Sequence, residues 1–294
     1  MSQSQAINCN ILKQLFPYIK NKGLINFLRI DNDSIHYIST KEIAEKITDI
    51  ISSHMAKFNI SKDHTIITDA FAGVGGDTIS FSKTFSHVYA IEVNKLRFDY
   101  LNNNLHVYGL TNVNTYHQDF INVINKIENH NAIFIDPPWG GANYKNYDNL
   151  RISVGNDYAL EDVCNTILFG NTMKKNPQIL CLKLPKNYDI YYLYTKITNC
   201  NIYLYDLTKM YIIIIENIYL NSNNLFFNDL IELSEQIPID DFSDVITESE
   251  DVLEFNNFQI ITNHKHNHKL FDNYVSSYVN KIINDALLQL NQKN

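Results

Sequence analysis

Four short apolar segments, each followed closely by a carboxylate, constrain the fold of this chain most strongly. They occupy residues 65–69, 87–92, 113–116 and 132–136, and the carboxylates are Asp69, Glu92, Asp119 and Asp136. Segments with helical periodicity separate them, and the connections are short. Strands that alternate with helices in this way form a mostly parallel sheet with helices on both faces. Because the carboxyl ends of parallel strands meet at one edge, the acids are predicted to surround one ligand site.

The rest of the chain extends this pattern to seven strands. Further strands are predicted at residues 179–183, 201–204 and 210–216, and helices at residues 11–28, 39–58, 77–85 and 95–108. The predicted fold class is therefore α/β, with a doubly wound, mostly parallel, Rossmann-like sheet. We expect three parts: a helical N-terminal extension (1–60), a core (61–220), and an appendage (221–294) with a loosely structured acidic connector (221–260) and a final helix (270–290).

One helix start is predicted from a capping pattern. Ser39 is followed three residues later by Glu42, the spacing at which two side chains satisfy free N–H groups at a helix start. An apolar stripe with helical spacing follows, formed by Ile43, Ile47, Ile50, Ile51 and Met55. The helix is therefore predicted to begin at Ser39 and to pack this stripe against the core.

The net charge of −8 is confined to one part of the sequence. Residues 221–260 contain ten acids and no Lys or Arg, residues 261–294 carry a net charge of +2, and residues 1–220 are formally neutral. A protein that wraps a long nucleic-acid duplex neutralises many phosphates with Lys and Arg. The neutral core argues against such a partner and favours a compact substrate with few phosphates.

Cysteine usage and hydropathy indicate a soluble intracellular protein. The four cysteines lie far apart and form no Cys-x-x-Cys pair, which is typical of reduced thiols. We find no signal-peptide pattern and no apolar run of membrane-spanning length, so no membrane partner is expected, and we expect a monomer. His264, His266 and His268 alternate, but a solvated polar segment is the simpler interpretation and no metal site is predicted.

A glycine-rich turn follows the first predicted strand, in the run Asp69-Ala-Phe71-Ala-Gly73-Val-Gly75-Gly76. The dinucleotide pattern Gly-x-Gly-x-x-Gly fails because Thr78 occupies its third glycine position. The pattern acid-x-Phe-x-Gly-x-Gly is instead typical of the methionine end of an S-adenosylmethionine site. By itself the turn is a weak signal, since a purely structural turn is about as frequent.

Two acids strengthen the prediction of this cofactor. Glu92 ends the second strand, where a carboxylate can accept hydrogen bonds from both ribose hydroxyls. Asp119 follows the third strand, where the adenine amino group would lie. Three acids at successive strand ends, with the glycine-rich turn beside them, predict one S-adenosylmethionine site.

The sharpest motif is Asp136-Pro137-Pro138-Trp139, which follows the fourth strand. An amine on an aromatic base is a poor nucleophile, because its lone pair is delocalised into the ring. The acid and a following backbone carbonyl can accept hydrogen bonds from its two N–H groups, which localises the lone pair toward the methyl donor. The prolines stiffen the loop. Trp139, the only tryptophan of the chain, is predicted to stack on the base. Asp136, Pro137 and Trp139 are therefore the predicted catalytic residues.

Together these motifs resemble the trimethylguanosine synthase family, the cap-specific guanine-N2 methyltransferases. The resemblance rests on the glycine-rich turn, on Ile91-Glu92, on Asn103-Asn104-Leu-His-Val-Tyr108-Gly109 and on Pro137-Pro138-Trp139-Gly140-Gly141, and it covers residues 35 to 216. It implies a class I methyltransferase fold, S-adenosylmethionine as cofactor and capped RNA as partner, with methyl transfer to N2 of 7-methylguanosine.

The resemblance also implies several residue roles. Trp139 would stack on the positively charged 7-methylguanine, since indole offers the strongest cation–π face. Asn104 would contact the base, and Lys186 would take the place of a phosphate-binding arginine in the Leu-Pro-Arg-Asn motif of the family. Ser39 lies where the N-terminal segment of the family touches the cofactor, and Tyr144 matches the tyrosine of a Pro-Asp-Tyr motif.

The chain departs from the family pattern at two places. Asp136 replaces a common serine, and Ala142-Asn143 stand in place of Pro-Asp before Tyr144. The acid resembles the Asp-Pro-Pro-aromatic motif of adenine-N6 and cytosine-N4 methyltransferases, so an amino methyltransferase acting on DNA or RNA is one alternative. A cap-binding module without catalysis is another, although the intact Asp69, Glu92 and Asp119 argue against it.

Overall fold

A single large sheet organises this computed structural model, which describes residues 9–155, 157–171, 173–220, 251–255 and 258–262. The strands of these residues are β1 (Ile66–Asp69), β2 (His87–Ile91), β3 (Val113–Tyr116), β4 (Ala132–Ile135), β5 (Ser153–Val154), β6 (Tyr158–Ala159), β7 (Ile179–Pro185), β8 (Cys200–Leu207), β9 (Met210–Asn217), β10 (Asp251–Phe255) and β11 (Phe258–Thr262). Nine of them form the sheet, in the order β10-β11-β8-β9-β7-β4-β1-β2-β3, and β5 pairs with β6 in a separate hairpin.

The helices of the described residues connect these strands. They are α1 (Cys9–Leu15), α2 (Ser34–Tyr37), α3 (Lys41–Lys57), α4 (Gly76–Thr84), α5 (Lys95–Tyr108), α6 (Phe120–Val123), α7 (Leu160–Phe169) and α8 (Ile190–Lys196). Short 3-10 turns occupy Lys22–Phe27, Lys62–His64, Ile124–Lys126, Gly141–Asn146 and Ile218–Leu220. No described helix is both long and apolar enough to cross a membrane.

The strand order creates a crevice at the centre of the sheet. Strand β1 pairs in parallel with β2 on one side and with β4 on the other, and β2 and β4 pair in parallel with β3 and β7. The order of strands therefore reverses between β1 and β4, which is where open parallel sheets bind ligands. Only β9 runs antiparallel within the predicted seven strands, so the mostly parallel, seven-stranded α/β fold is confirmed.

The core lies on both faces of this sheet. On one face α3 and α4 bury Ile47, Ile51 and Phe81 against Ile67 and Phe134. On the other face α7 and α8 pack against the alternate side chains of β4 and β7. All seven residues of β7 are buried, as expected for a central strand covered on both faces. The apolar stripe predicted for the α3 region therefore faces the core as expected.

The N-terminal segment packs on α5 rather than forming the single helix predicted over residues 11–28. Helix α1 ends at Leu15, and a 3-10 turn forms only at Lys22–Phe27. Pro17 lies between them, and a proline disfavours helical geometry at the residue before it. The segment nevertheless buries Leu12, Phe16 and other apolar side chains in a cluster with α5.

Strands β10 and β11 lie within the segment that was predicted to be a connector. Strand β11 pairs in parallel with β8, and β10 pairs with β11, so the two strands extend the sheet beyond its seven predicted strands. The prediction of loose structure is therefore wrong for residues 251–255 and 258–260. The predicted helix over residues 270–290, the rest of the connector and the His264–His268 segment lie outside the described residues.

Candidate active site

The glycine-rich turn joins β1 to α4 with two left-handed glycines. Gly73 has φ +53° and Gly75 has φ +98°, and residues other than glycine rarely adopt this backbone conformation. A Cβ atom at Gly75 would come within 2.9 Å of Leu101, whereas one at Gly73 would meet nothing within 4 Å. The turn is therefore packed on the α5 side and open at Gly73, where a ligand can approach the backbone.

Asp69 closes β1 with a carboxylate that is only partly satisfied. The residue is 1% exposed, and its Oδ2 accepts a hydrogen bond from Thr78 Oγ1 at 2.5 Å. Its Oδ1 is buried and has no partner among the described residues. Burial raises the pKa of Asp69 to about 8, with a further contribution from the nearby Asp77 carboxylate. A buried carboxylate oxygen without a partner fits a ligand that brings an N–H donor or a positive charge, as the methionyl ammonium of S-adenosylmethionine does.

Glu92 lies beside the turn, at the end of the neighbouring strand. Its Oε2 accepts a hydrogen bond from Gly73 N at 2.8 Å, and its Oε1 accepts one from Asn94 N at 2.6 Å. These bonds fix the carboxylate between the turn and the start of α5. The structure thus brings Asp69, Gly73 and Glu92 together, as the spacing in the sequence predicted.

Asp119 lies one strand further along the same edge. It is half-buried and caps α6 by accepting a hydrogen bond from Ile121 N at 2.8 Å. Phe71 contributes an aromatic side chain to this region, with its ring 5.7 Å from that of Phe120. The three strand-end acids thus follow β1, β2 and β3, which are consecutive in the sheet, and neighbouring strands lie about 4.8 Å apart.

A fourth acid, Asp136, follows β4 and pairs with a lysine that sequence reasoning missed. Lys183, on the adjacent β7, donates a hydrogen bond from Nζ to Asp136 Oδ2 at 2.6 Å. The lysine side chain is 3% exposed and that of Asp136 is 18% exposed. The one signal in the sequence was a lysine inside the otherwise apolar run Ile179-Leu-Cys-Leu-Lys183-Leu.

The protonation of this group of side chains follows from burial and mutual charge. Burial raises the pKa of Asp136 to about 6, although the Lys183 ammonium opposes the increase. Burial also raises the pKa of Asp77. For Lys183, burial alone would lower the pKa, but the Asp136 and Asp77 carboxylates outweigh it and raise the pKa. The buried Asp69 and Asp77 and the partly buried Asp136 thus share one ammonium, an arrangement that fits a cationic ligand.

Ser39 does not cap a helix, contrary to the prediction. Helix α3 begins at Lys41 with Thr40 at its N-cap position. The Ser39 hydroxyl instead donates a hydrogen bond to Asp77 Oδ2 at 2.8 Å and accepts one from Lys183 Nζ at 2.9 Å. The N-terminal segment is therefore connected to the charged group at the centre of the site.

Trp139 lies at the other end of the Asp136 loop and is half-buried. Its indole Nε1 donates a hydrogen bond to the Lys183 carbonyl at 3.2 Å. The Tyr144 ring meets it edge-on, with centroids 5.4 Å apart and planes at 73°. Between the acid and the tryptophan, Pro137 is buried and Pro138 is exposed. The loop is thus fixed at both ends.

Trp139 lines a cleft of about 1060 Å³. The other residues on its walls are Pro138, Gly140, Asn143, Tyr147, Asn149, Leu150, Arg151, Ile152, Ser153, Asp189, Tyr191 and Tyr192. The Arg151 guanidinium lies 3.6 Å from the centre of the Tyr192 ring and donates from Nε and Nη2 to Asp189 Oδ2 at 3.2 and 3.1 Å. Neither Arg151 nor these tyrosines were predicted, because no local motif marks them.

Two residues have positions that differ from those implied by the resemblance. Asn104 is fully buried, and its amide accepts a hydrogen bond from Arg29 N at 2.7 Å and donates to the carbonyls of Arg29 and Val74 at 2.8 Å each. In this structure Asn104 connects the N-terminal segment to the glycine-rich turn, and its contact with the base stays a prediction. Lys186 is not on the cleft wall, and its Nζ pairs with Asp206.

Comparison with known proteins gives the family of the chain. Residues 64–230 match the model of a family described as RNA cap guanine-N2 methyltransferase. An uncharacterized protein of Acanthamoeba polyphaga mimivirus is 35% identical over 225 residues, which cover 70% of this chain and 86% of that protein.

Two fungal relatives are trimethylguanosine synthases. The protein of Schizosaccharomyces pombe is 28% identical over 131 residues, which cover 42% of this chain and 52% of that protein. The protein of Saccharomyces cerevisiae is 26% identical over 185 residues, which cover 60% of this chain and 56% of that protein. The chain therefore spans about half the length of these two relatives.

Four observations lead to one assignment. They are the doubly wound sheet, the open turn at Gly73, the carboxylate oxygen of Asp69 that has no partner among the described residues, and the family match. The chain is a methyltransferase whose cofactor is S-adenosylmethionine, and it belongs to the RNA cap guanine-N2 methyltransferase family.

Proposed function

We propose that this protein transfers a methyl group to the exocyclic N2 amine of 7-methylguanosine in an RNA cap. The observation that carries the proposal is the loop after β4, which has a partly buried acid at Asp136 and, on the wall of a cleft, a half-exposed indole at Trp139. The membership of the chain in the RNA cap guanine-N2 methyltransferase family supports the same acceptor.

The cofactor would be held by the residues at the strand ends. Asp69 Oδ1 would accept a hydrogen bond from the methionyl ammonium, and Glu92 would accept hydrogen bonds from the ribose hydroxyls. Asp119 and Phe71 would line the adenine end, while Gly73 and Gly75 let the backbone approach the ligand. When bound, S-adenosylmethionine supplies a methyl group on a positively charged sulfur.

The base would be bound by stacking on Trp139. A 7-methylguanine ring is positively charged, and an indole attracts a cation placed over its face. The hydrogen bond from Trp139 Nε1 to the Lys183 carbonyl fixes the plane of the ring, and Tyr144 supports its edge. This preference for a charged ring favours 7-methylguanine over adenine or cytosine, which are neutral.

The amine would be oriented by Asp136 and the loop that follows it. Because burial raises the pKa of Asp136 only to about 6, its carboxyl is mainly ionised at neutral pH. It can then accept a hydrogen bond from an N–H group of the amine. The backbone carbonyl of Pro137 would be a second acceptor for the amine. Pro137 and Pro138 have no backbone N–H groups that would compete with the amine for these acceptors. The amine needs no strong base before transfer, and Asp136 can accept the surplus proton afterwards.

The phosphates of the cap would lie where the cleft carries cations. Arg151 lines the cleft and is 56% exposed, with three N–H groups not used in its bonds to Asp189. Lys186, which the resemblance assigns to the phosphates, would have to exchange Asp206 for phosphate. The small number of cations suits a substrate with few phosphates.

A methyl-transfer assay with three acceptors tests the proposal. The acceptors are 7-methylguanosine diphosphate, guanosine diphosphate and an adenine- and cytosine-containing DNA oligonucleotide. Transfer should occur only to the 7-methylated acceptor; Trp139→Ala should abolish it, while the matched variant Trp139→Phe should retain a part of it. Transfer to the oligonucleotide alone would assign the protein to the adenine or cytosine class, which Asp136 resembles. Cofactor binding without any transfer would indicate a binding module.

A further inference from the structure

Lys183 occupies a position where an apolar side chain would be expected. It lies near the end of β7, and its neighbours Leu182 and Leu184 belong to the core on the opposite face of the sheet. A buried lysine is costly unless carboxylates and hydrogen bonds compensate its charge. The side chain is 3% exposed, so its presence in the centre of the sheet requires a reason.

The lysine contacts both ends of the loop that carries the candidate catalytic residues. Its ammonium lies 2.6 Å from Asp136 Oδ2, and its backbone carbonyl accepts the Trp139 indole N–H at 3.2 Å. The ammonium also donates to Ser39 Oγ at 2.9 Å, and that hydroxyl donates to Asp77 Oδ2 at 2.8 Å. One residue thus fixes the acid, the aromatic ring and the N-terminal segment relative to each other.

The charges around Asp136 explain what the ammonium does. Asp136 directly follows β4. Besides burial, three groups influence its pKa: Lys183 from β7, Asp77 from α4 and the Trp139 side chain from its own loop. Asp69, at the end of β1, repels the Asp136 carboxylate when both groups are ionised. Burial and Asp77 disfavour the ionised form of Asp136, and Lys183 favours it more strongly than the Trp139 side chain does.

We infer that Lys183 is a positioning residue for methyl transfer, which keeps Asp136 as an oriented carboxylate while its backbone holds Trp139 in place. Lys183 is the counter-charge that lies beside this acid. The inference rests on the proposed transfer to an exocyclic amine, but not on which base carries that amine.

The test combines a titration with kinetics on the full chain. Carbon-13 NMR of aspartate-labelled protein, with Asp136→Asn to assign the signal, gives the titration midpoint of Asp136. The variants are Lys183→Gln, which keeps a polar group of similar length, and Lys183→Met, which removes it. Lys174→Met is the matched control, since this lysine is 52% exposed and pairs with Glu128 on the surface.

Loss of the ammonium should raise the midpoint of Asp136 by one pH unit or more in both Lys183 variants. The acidic limb of the kcat profile should move by the same amount, so that activity lost at pH 7 is partly recovered near pH 9. KM for cofactor and acceptor should change less than threefold, and the control should match the unmodified protein. The double variant Asp136→Asn with Lys183→Met, which removes both the ammonium and the carboxylate that it orients, should lose no more activity than Asp136→Asn alone.

Two results would overturn the inference. An unchanged Asp136 midpoint in Lys183→Gln would show that the ammonium does not control the acid. A moved midpoint with an unmoved kcat profile would show that the acid is not used in transfer. The NMR titration needs no acceptor, so it decides the electrostatic part even if the proposed acceptor proves wrong. If Lys183→Met fails to fold, the same comparison is made with Lys183→Gln and the double variant.

Discussion

At the scale of single residues, the buried acids are in unusual protonation states. Asp69 is almost fully buried, has one oxygen without a partner within the described part of the chain, and has its pKa raised to about 8 by burial and by Asp77. In the free protein at pH 7 this group is therefore mostly protonated. A cationic ligand beside it favours the carboxylate, so ligand binding and proton release are thermodynamically linked.

Cofactor binding is therefore predicted to release close to one proton at pH 7, and affinity should increase as pH rises from 6 to 8. Above the free pKa the group is already ionised, so the increase should stop. Calorimetry in buffers with different ionisation enthalpies measures the proton count. Asp69→Asn should abolish the release and weaken binding about tenfold, a loss of about 1.4 kcal/mol. Asp49→Asn, on the exposed side of α3, is the control; an equal release from both variants would contradict the assignment.

Asn104 is predicted to matter for stability rather than for acceptor binding. Its buried amide makes three hydrogen bonds to Arg29 and Val74, and a variant with alanine would leave those backbone groups unsatisfied. We expect Asn104→Ala to lower the free energy of unfolding by about 3 kcal/mol, with KM for the acceptor nearly unchanged in the folded fraction. Urea unfolding measures the first quantity. Asn114→Ala, on the exposed side of β3, should have little effect. A large increase in KM without loss of stability would instead support a direct contact with the base.

At the scale of structural elements, the strands could be predicted better than the helices at the N-terminus. Strands β1 to β4 were found because short apolar runs are bounded by acids and glycines, and their ends agree with the structure within about one residue. The break in the 11–28 region was missed although Pro17 marks it, because the apolar spacing continues across the proline. Strand β8 extends to Leu207, beyond the predicted residues 201–204. Its polar residues stay in the strand because their backbone pairs with β9 in the antiparallel ladder.

The candidate site shows the same division between local and distant signals. Asp69, Glu92 and Asp119 could be predicted because each one ends its own strand. Lys183 could not, because its pairing with Asp136 depends on β4 and β7 being neighbours in the sheet, 47 residues apart in the chain. Arg151 was missed for the same reason, because its two partners are distant in the chain. Asp189 directly precedes α8, and Tyr192 lies within that helix.

The segment between β4 and β8 is predicted to bind the cap phosphates through Arg151 and Lys186. Arg151→Gln and Lys186→Gln should each raise KM for a capped dinucleotide about three- to tenfold, because each removes one charged contact with phosphate. Their effect on kcat should be small, since the phosphates are remote from the amine. Initial-rate kinetics at two salt concentrations measure both constants. Lys174→Gln is the surface control, and an unchanged KM in either variant would remove that residue from the phosphate site.

At the scale of the whole molecule, the distribution of charge limits the length of RNA that the proposed activity would contact. Residues 1–220 are formally neutral, and ten acids without a single Lys or Arg occupy residues 221–260. Several of the cations near the site are already paired, such as Lys186 with Asp206 and Arg151 with Asp189. A long RNA chain would therefore find few phosphate contacts beyond the cap.

The length of the RNA is accordingly predicted to have little effect on affinity. KM for a capped dinucleotide and for a capped RNA of about twenty nucleotides should agree within about threefold, with a shallow dependence on salt. Steady-state kinetics at several salt concentrations check this. An affinity that rises steeply with RNA length and falls steeply with salt would contradict this prediction.

The central claim is the identity of the acceptor atom, and the position of the transferred methyl group tests it most directly. The protein is incubated with a 7-methylated capped dinucleotide and S-adenosylmethionine that carries a carbon-13 methyl group, and the product nucleosides are analysed by NMR and mass spectrometry. We expect the labelled methyl on N2 of the 7-methylguanosine and on no other atom. Label on an adenine or cytosine amine, on a ribose oxygen, or equally on a cap that lacks the 7-methyl group would contradict it.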